Sequence, residues 1–489
     1  MSPNMNANLK QKPINRREFI KAAGAGLAVA ALTTNSSTAW AGTQKRKKPN
    51  LIVIFCDDLG YGDIGCFGSK KHHTPNLDRM ARQGIRLTSF YVTSGVCTPS
   101  RSSLMTGCYP LRINMHQNEN GLCVLFPVNK KGLNPKEITI AEILKKQSYT
   151  TACIGKWHLG DQPEFLPTCQ GFDYYYGIPY SNDMGKEQRP ENPPLPLLRN
   201  EKVIEAPADQ NTLTSRYTDE AVRFIRKNRN QPFFLYLPHT MPHNPVHAGK
   251  AFRGHSDNGI YGDAVEEIDF STGQILAALK ALDLEKNTLV IFTSDNGASD
   301  NYGGSNGPLR GCKGTTWEGG MRVPCIARWP GKIPPGSVCD ELTCTIDILP
   351  TFAHLAGTIP PTDRIIDGKN IWNLMANPKN AVSDRKVLYY YQKDQLQAVR
   401  SGKWKLHLPL KPKKRHWGKP EPASPLQLYH LKNDIGEKNN VADKHQDIVK
   451  KLTAIAEKAR EDIGDMNKPG KNQRPAGFVK NPKPLIISK

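Results

Sequence analysis

The chain has 489 residues, 38% of them hydrophobic, and a formal net charge of +22. That size and apolar content suit one large domain or two and exclude a chain that is disordered throughout. The charge suits an anionic partner, but no zinc-finger spacing, RNP aromatic motif or basic heptad region accompanies it, so no nucleic acid is expected; a sulfated or otherwise acidic polymer is a natural reading, and a basic surface with no dedicated partner is its alternative.

Residues 1–41 read as a leader. Arg16-Arg17-Glu18-Phe19-Ile20-Lys21 is a twin-arginine pattern, an Ala/Gly-rich apolar run extends from Ala22 to Leu32, and Ala39-Trp40-Ala41 offers a small-x-small cleavage site. The run is short for a bilayer span, so no permanent membrane anchor is expected. The pattern predicts a bacterial protein exported by the twin-arginine translocase to the periplasm or beyond. Its basic character survives loss of the leader.

Downstream, short apolar runs alternate with amphipathic stretches. Leu51–Phe55, Thr150–Ile154, Phe233–Leu237 and Leu289–Thr293 have strand length, and helical patterns cover Ile140–Lys146, Tyr217–Lys227 and Ala264–Leu282. Continuous apolar strands between helices predict an α/β domain over 42–380, with a mostly parallel sheet covered by helices on both faces. Beyond residue 380 the pattern changes to Val387–Tyr391, Leu396–Val399, Trp404–Leu408 and Leu426–Leu431, followed by a helical stretch over Gln446–Arg460. This predicts a smaller α+β subdomain at 381–468, an antiparallel sheet with one helix. A basic, Pro-rich tail at 469–489 is expected to be loosely held. Eleven cysteines are present without any Cys-x-x-Cys spacing, which argues against a structural zinc site.

The first strand ends in Asp57-Asp58 and a later one in Ser294-Asp295-Asn296-Gly297. Ligands of open α/β sheets bind beyond the carboxyl ends of the strands, and three carboxylates with one amide oxygen suit a hard divalent cation such as Ca²⁺ or, less well, Mg²⁺. Taken singly, such pairs also serve as turn and capping residues.

Gly95-Val96-Cys97-Thr98-Pro99-Ser100-Arg101, closed by Leu104-Met105-Thr106-Gly107, resembles the signature of type I sulfatases, whose cysteine is oxidised to formylglycine. Further segments extend the resemblance over roughly residues 50–470. Gly155-Lys156-Trp157-His158-Leu159-Gly160 resembles the second signature, and His243-Asn244-Pro245 the His-x-Pro element. Gly303-Gly304-Ser305-Asn306-Gly307-Pro308 through Lys313, with Trp317-Glu318-Gly319-Gly320-Met321-Arg322, resembles the arylsulfatase A and N-acetylgalactosamine-6-sulfatase branch. Ser148-Tyr149 departs from the usual Gly-Tyr, at a position expected to be scaffold.

The resemblance implies an alkaline-phosphatase-like fold and hydrolysis of sulfate esters on carbohydrate or aryl substrates. It places Asp57, Asp58, Asp295, Asn296 and oxidised Cys97 on Ca²⁺. One hydroxyl of the hydrated aldehyde attacks sulfur with Asp295 assisting, Arg101 orients the hydroxyls, and Lys156 and Lys313 hold sulfate oxygens with Ser181. His243 or Lys313 protonates the departing alcohol, and His158 takes a proton from the second hydroxyl so that sulfate is expelled. His239 is the rival to His243, which is preferred because Pro245 follows at the family spacing. A formylglycine-generating enzyme is an implied partner. Two alternatives stay open at this point: a formylglycine-dependent phosphonate or phosphate ester hydrolase, and a non-catalytic polyanion-binding homologue in which Cys97 stays a thiol.

Overall fold

The computed structural model describes residues 48–412, 423–466 and 468–487. The proposed leader lies outside them. Among the described residues no helix is long and apolar enough to cross a membrane.

A ten-stranded sheet forms the centre. Its order is Ser337–Cys339, Ile85–Leu87, Ile326–Arg328, Thr288–Ser294, Asn50–Cys56, Phe233–Pro238, Thr150–Ile154, Tyr174–Gly177, Leu197–Arg199 and Lys202–Glu205. The five strands from Thr288–Ser294 to Tyr174–Gly177 run parallel. Antiparallel strands flank them on both sides. Asn50–Cys56 shows why the middle strands are apolar at every position. Leu51, Val53 and Phe55 enter one core, whereas Ile52, Ile54 and Cys56 enter the other. Both faces are therefore dry, and each large aliphatic side chain so buried contributes about 1.5–3 kcal/mol.

Helices cover each face. Cys97–Thr106, Ile140–Lys145 and Ile348–Leu355 pack into the first core through Leu104, Ile143 and Phe352. Pro75–Arg82, Leu213–Lys227 and Gly259–Ala281 fill the second through Met80, Phe224 and Ile268. The last helix begins five residues before its apolar pattern, because the Tyr261 hydroxyl donates to buried Asp63 at 2.6 Å and anchors a glycine-containing first turn. Tertiary contact here overrides weak local propensity.

The C-terminal part is a four-stranded antiparallel sheet, Val387–Gln392, Gln395–Ser401, Trp404–His407 and Gln427–His430 in sequence order. The helix Gln446–Asp462 lies on it through Leu452, Ala456 and Ala459. The tail is held more firmly than its composition predicts. Gly477–Phe478 pairs with Lys131–Gly132, Arg474 donates to Glu137 at 2.7 and 3.0 Å, and Lys483 N–H donates to Gln162 at 2.7 Å. Backbone pairing and a charge-assisted contact to a buried carboxylate replace the missing apolar side chains. Cys56, Cys108, Cys153 and Cys325 are buried, as apolar cysteines of a core are.

Candidate active site

Strand register brings the acidic pairs together. Cys56 lies opposite Ser294 on adjacent parallel strands, so Asp57-Asp58 and Asp295-Asn296 leave the sheet side by side. Asp58 takes a left-handed turn at φ 64°, a conformation that Asp tolerates better than most residues. Its N–H donates to Asp295 Oδ1 at 3.1 Å, and its Oδ1 accepts from Asn296 Nδ2 at 2.7 Å. The next two parallel strands add the remaining chemistry at the same edge. Phe233–Pro238 leads into the loop carrying His243, and Thr150–Ile154 leads into Lys156 and His158. At the latter turn Gly155 has φ 134°, and a Cβ there would meet the Pro238 carbonyl oxygen at 1.9 Å. Only glycine lets the Lys156 loop cross so closely.

Cys97 is the first residue of its helix, where free N–H groups present partial positive charge. Arg101 follows one turn later on the same side. Its Nε and Nη2 donate to Asp295 Oδ2 at 3.1 and 2.8 Å, and Nη1 donates to the Lys156 carbonyl at 3.0 Å. The guanidinium thus ties the acidic strand end to the Lys156 loop. Lys156 Nζ donates to Asp57 Oδ2 and, at 3.0 Å, to Ser181 Oγ. Lys313 Nζ donates to Asp58 Oδ2 at 2.7 Å, and His243 Nε2 lies 3.7 Å from the same oxygen.

Ligand atoms of Asp57, Asp58, Cys97 and His243 all lie within 4.8 Å of one another. Two further observations fit a hard cation. Asp57 Oδ1 and Asn296 Oδ1 are buried oxygens without a hydrogen-bond partner, the amide having turned its NH₂ toward Asp58. Buried acceptors left in that state are costly unless a ligand satisfies them. Asp295 is nearby with both oxygens already engaged by Asp58 N–H and Arg101.

Electrostatics separate the acids. Burial pushes Asp57 up, but Lys156, His243, Arg101 and Lys313 outweigh it and hold the carboxyl well below its usual range. Burial and the neighbouring Asp57 charge push Asp295 up to about 7 against the pull of Arg101. Burial and Lys156 drive His158 down, so the ring is neutral. His158 Nε2 lies 2.9 Å from the Leu125 carbonyl and must be the protonated nitrogen there, which leaves Nδ1 as a buried lone pair without a partner. Burial raises the Cys97 thiol well above its usual range. As a plain thiol it is a poor nucleophile in this setting.

An open cleft of about 440 Å³ exposes the site, lined by Cys97, Asp58, His158, Ser181, His243 and Lys313 among others. His239, the rival histidine, is instead fully buried, with its Nε2 3.4 Å from Ser271 Oγ. Asp183, Arg189 and Asn244 also line the cleft and were not anticipated. Asn244 and Asp183 sit beside residues that were singled out, but nothing in local composition marks Arg189.

The C-terminal sheet also reaches the site. Fully buried Lys405 donates to the Thr316 carbonyl at 2.8 Å and pairs with Glu437 at 2.8 Å and Glu318 at 3.1 Å. Gln392 donates to the Gly314 carbonyl at 2.8 Å, Glu318 N–H donates to Glu437 at 2.8 Å, and His407 stacks on Trp317 at 4.0 Å. These contacts hold the segment that follows Lys313.

The sulfatase family model matches residues 49–358, well over half of the chain. The chain belongs to the sulfatase family. A second model, described as N-sulphoglucosamine sulphohydrolase, C-terminal, matches 312–462, from the Lys313 loop through the sheet that grips it. N-acetylgalactosamine-6-sulfatase of Mus musculus is 42% identical over 377 residues, covering 74% of this chain and 72% of that protein. Arylsulfatase A of Homo sapiens is 38% identical over 462 residues, covering 87% and 86%. Among solved structures, a sulfatase from Pseudoalteromonas sp. superposes with a TM-score of 0.76 at 30% identity, covering 84% of this chain and 90% of that one. This sulfatase is therefore an enzyme of the arylsulfatase A and N-acetylgalactosamine-6-sulfatase branch, on an alkaline-phosphatase-like fold.

Proposed function

We propose that this sulfatase hydrolyses sulfate esters of carbohydrates with Cys97, oxidised to formylglycine, as its nucleophile and Ca²⁺ as its cation. The observation that carries the reading is the position of Cys97 on the cleft, within 4.8 Å of the ligand atoms of Asp57, Asp58 and His243. Names of the relatives support galactose-type sugars as the first class to test. An aryl sulfate serves as the minimal substrate.

Asp57, Asp58, Asp295 and Asn296, with the modified side chain, would hold the cation. When bound, Ca²⁺ supplies positive charge for the sulfate oxygens and for an ionised hydroxyl at position 97. Lys156 and Lys313 face the sulfate, each fixed by a carboxylate, and Ser181 braces Lys156. Arg101 acts through Asp295, which takes the proton of the attacking hydroxyl. One hydroxyl of the hydrated aldehyde forms the bond to sulfur while the ester oxygen leaves with a proton from His243 or Lys313. Breakdown needs no attack by water. His158 Nδ1 takes the proton of the second hydroxyl, the C–O bond to sulfate breaks, and the aldehyde returns. A serine could accept sulfate but has no second hydroxyl with which to release it.

Oxidation of Cys97 by a formylglycine-generating enzyme, then export by the twin-arginine route to the periplasm or medium, completes the proposal. Chelation tests the metal half. Removing divalent ions is expected to abolish turnover of 4-nitrophenyl sulfate and of sulfated sugars, and added Ca²⁺ to restore it. Full activity in metal-free enzyme would remove Asp57, Asp58, Asp295 and Asn296 from this role.

A further inference from the structure

His158 works as a base only if its ring keeps one tautomer and one orientation. Its Nε2 lies 2.9 Å from the Leu125 carbonyl, which keeps the proton on that nitrogen and leaves the Nδ1 lone pair unpartnered. The position of Leu125 therefore decides what His158 can do. The Leu125 N–H donates to Thr98 Oγ1 at 3.2 Å, beside Cys97, and the chain then turns at Pro127-Val128.

Val128 sits in that turn at φ 60°, a left-handed conformation unfavourable for a β-branched residue. Two side chains hold the turn. The Phe126 N–H donates to Asn129 Oδ1 at 2.7 Å, and the Val128 N–H donates to Asp161 Oδ2 at 2.6 Å. Asp161 follows His158 on the same loop and is 2% exposed. Burial pushes its carboxyl up to about 6, and nearby Glu119 adds to the rise. Burying a carboxylate is costly, and here it is set against one strained backbone N–H. The other oxygen accepts from Gln162 Nε2 at 2.9 Å. The docked tail orients Gln162 in turn: Oε1 accepts from the Lys483 N–H at 2.7 Å, and Nε2 donates to the Lys483 carbonyl at 3.0 Å. Strain kept in place by a costly buried group, one contact away from a base, points to function.

We propose that Asp161 is a positioning residue for the release of sulfate: it holds the Val128 turn, and through it the Leu125 carbonyl that fixes the His158 ring. The inference rests on the reading of His158 as the base of that step.

The two half-reactions separate this role from a structural one. With 4-nitrophenyl sulfate, kcat/KM reports formation of the sulfated enzyme, whereas kcat reports its breakdown once that step is slow. Asp161→Ala should lower kcat about tenfold, the worth of one hydrogen bond to a charged group. KM should fall with it, leaving kcat/KM within about twofold of the parent, and sulfated enzyme should accumulate in intact-protein mass. Gln162→Ala, which leaves the carboxylate in place, should do the same more weakly, and it carries the test should Asp161→Ala not fold. Adding Val128→Gly to Asp161→Ala should restore part of kcat, because glycine takes this conformation without strain. A fall of kcat and kcat/KM together at constant KM, or an unchanged kcat, overturns the proposal. His158→Ala, measured in parallel, separates the two claims. Sulfated enzyme accumulating there but not in Asp161→Ala overturns the positioning role alone; accumulation in neither overturns the reading of His158 as well.

Discussion

Cys97→Ala keeps the volume at the start of its helix close to native, so folding should be retained while turnover falls at least about a thousandfold, as happens when a nucleophile is removed. Turnover near the wild-type rate would remove Cys97 from the chemistry. Cys97→Ser separates the two half-reactions: a serine that accepts sulfate cannot release it by elimination, and intact-protein mass after substrate exposure should show a stable sulfate adduct. An unmodified mass would count against the elimination step. The His158 Nδ1 lone pair has no partner, in keeping with the proposed proton removal. His158→Ala should slow turnover by about 10²- to 10⁴-fold, the usual worth of a general base, with sulfated enzyme accumulating. Slow turnover with no accumulation would place His158 in the first step instead.

At the scale of elements, the Lys313 loop depends on a sheet far away in sequence. Lys405 separates the buried carboxylates of Glu318 and Glu437 and holds the Thr316 carbonyl. Lys405→Met removes the cation those carboxylates share while Arg322 stays beside Glu318 and His407 beside Glu437, and breaking such a buried pair costs up to about 3–5 kcal/mol. A double-mutant cycle on the affinity for inorganic sulfate gives the functional reading. Lys405→Met should weaken binding in the parent enzyme and have little further effect once Lys313 is alanine, because it acts through that residue. Gln392→Ala, which releases the Gly314 carbonyl, should behave alike in milder form. Equal losses in both backgrounds would make the clamp purely structural. None of this was readable from the chain alone. The four central strands announced themselves because burial on both faces demands an apolar residue at every position, and their acidic ends followed from where strands stop. The short strands Ile85–Leu87, Ile326–Arg328 and Leu197–Arg199 carry no such periodicity and exist through their partners. Arg189 and Lys405 gain meaning only from tertiary neighbours, so local pattern could not single them out.

Over the whole molecule, the depth of Cys97 constrains its history. All ten residues of the Cys97–Thr106 helix are buried, and Cys97 itself is 3% exposed. A modifying enzyme that must grasp the surrounding segment has no access to it in the folded protein, so the proposed oxidation would have to precede folding. Protein purified and folded with a thiol at position 97 should therefore remain inactive when exposed to a formylglycine-generating enzyme, and become a substrate only after unfolding. The docked tail adds a long-range element, since Gly477–Phe478 and Lys483 brace the segments on either side of the His158 loop. Its removal should lower the unfolding temperature, and unchanged stability would return the tail to a passive role. The account as a whole turns on the species at position 97. Mass spectrometry of the peptide containing Cys97, taken from active enzyme, tests it most directly. The account predicts formylglycine, with sulfur lost and a carbonyl that hydrazine reagents capture, in proportion to specific activity; a fully active preparation carrying only the unmodified thiol would contradict it.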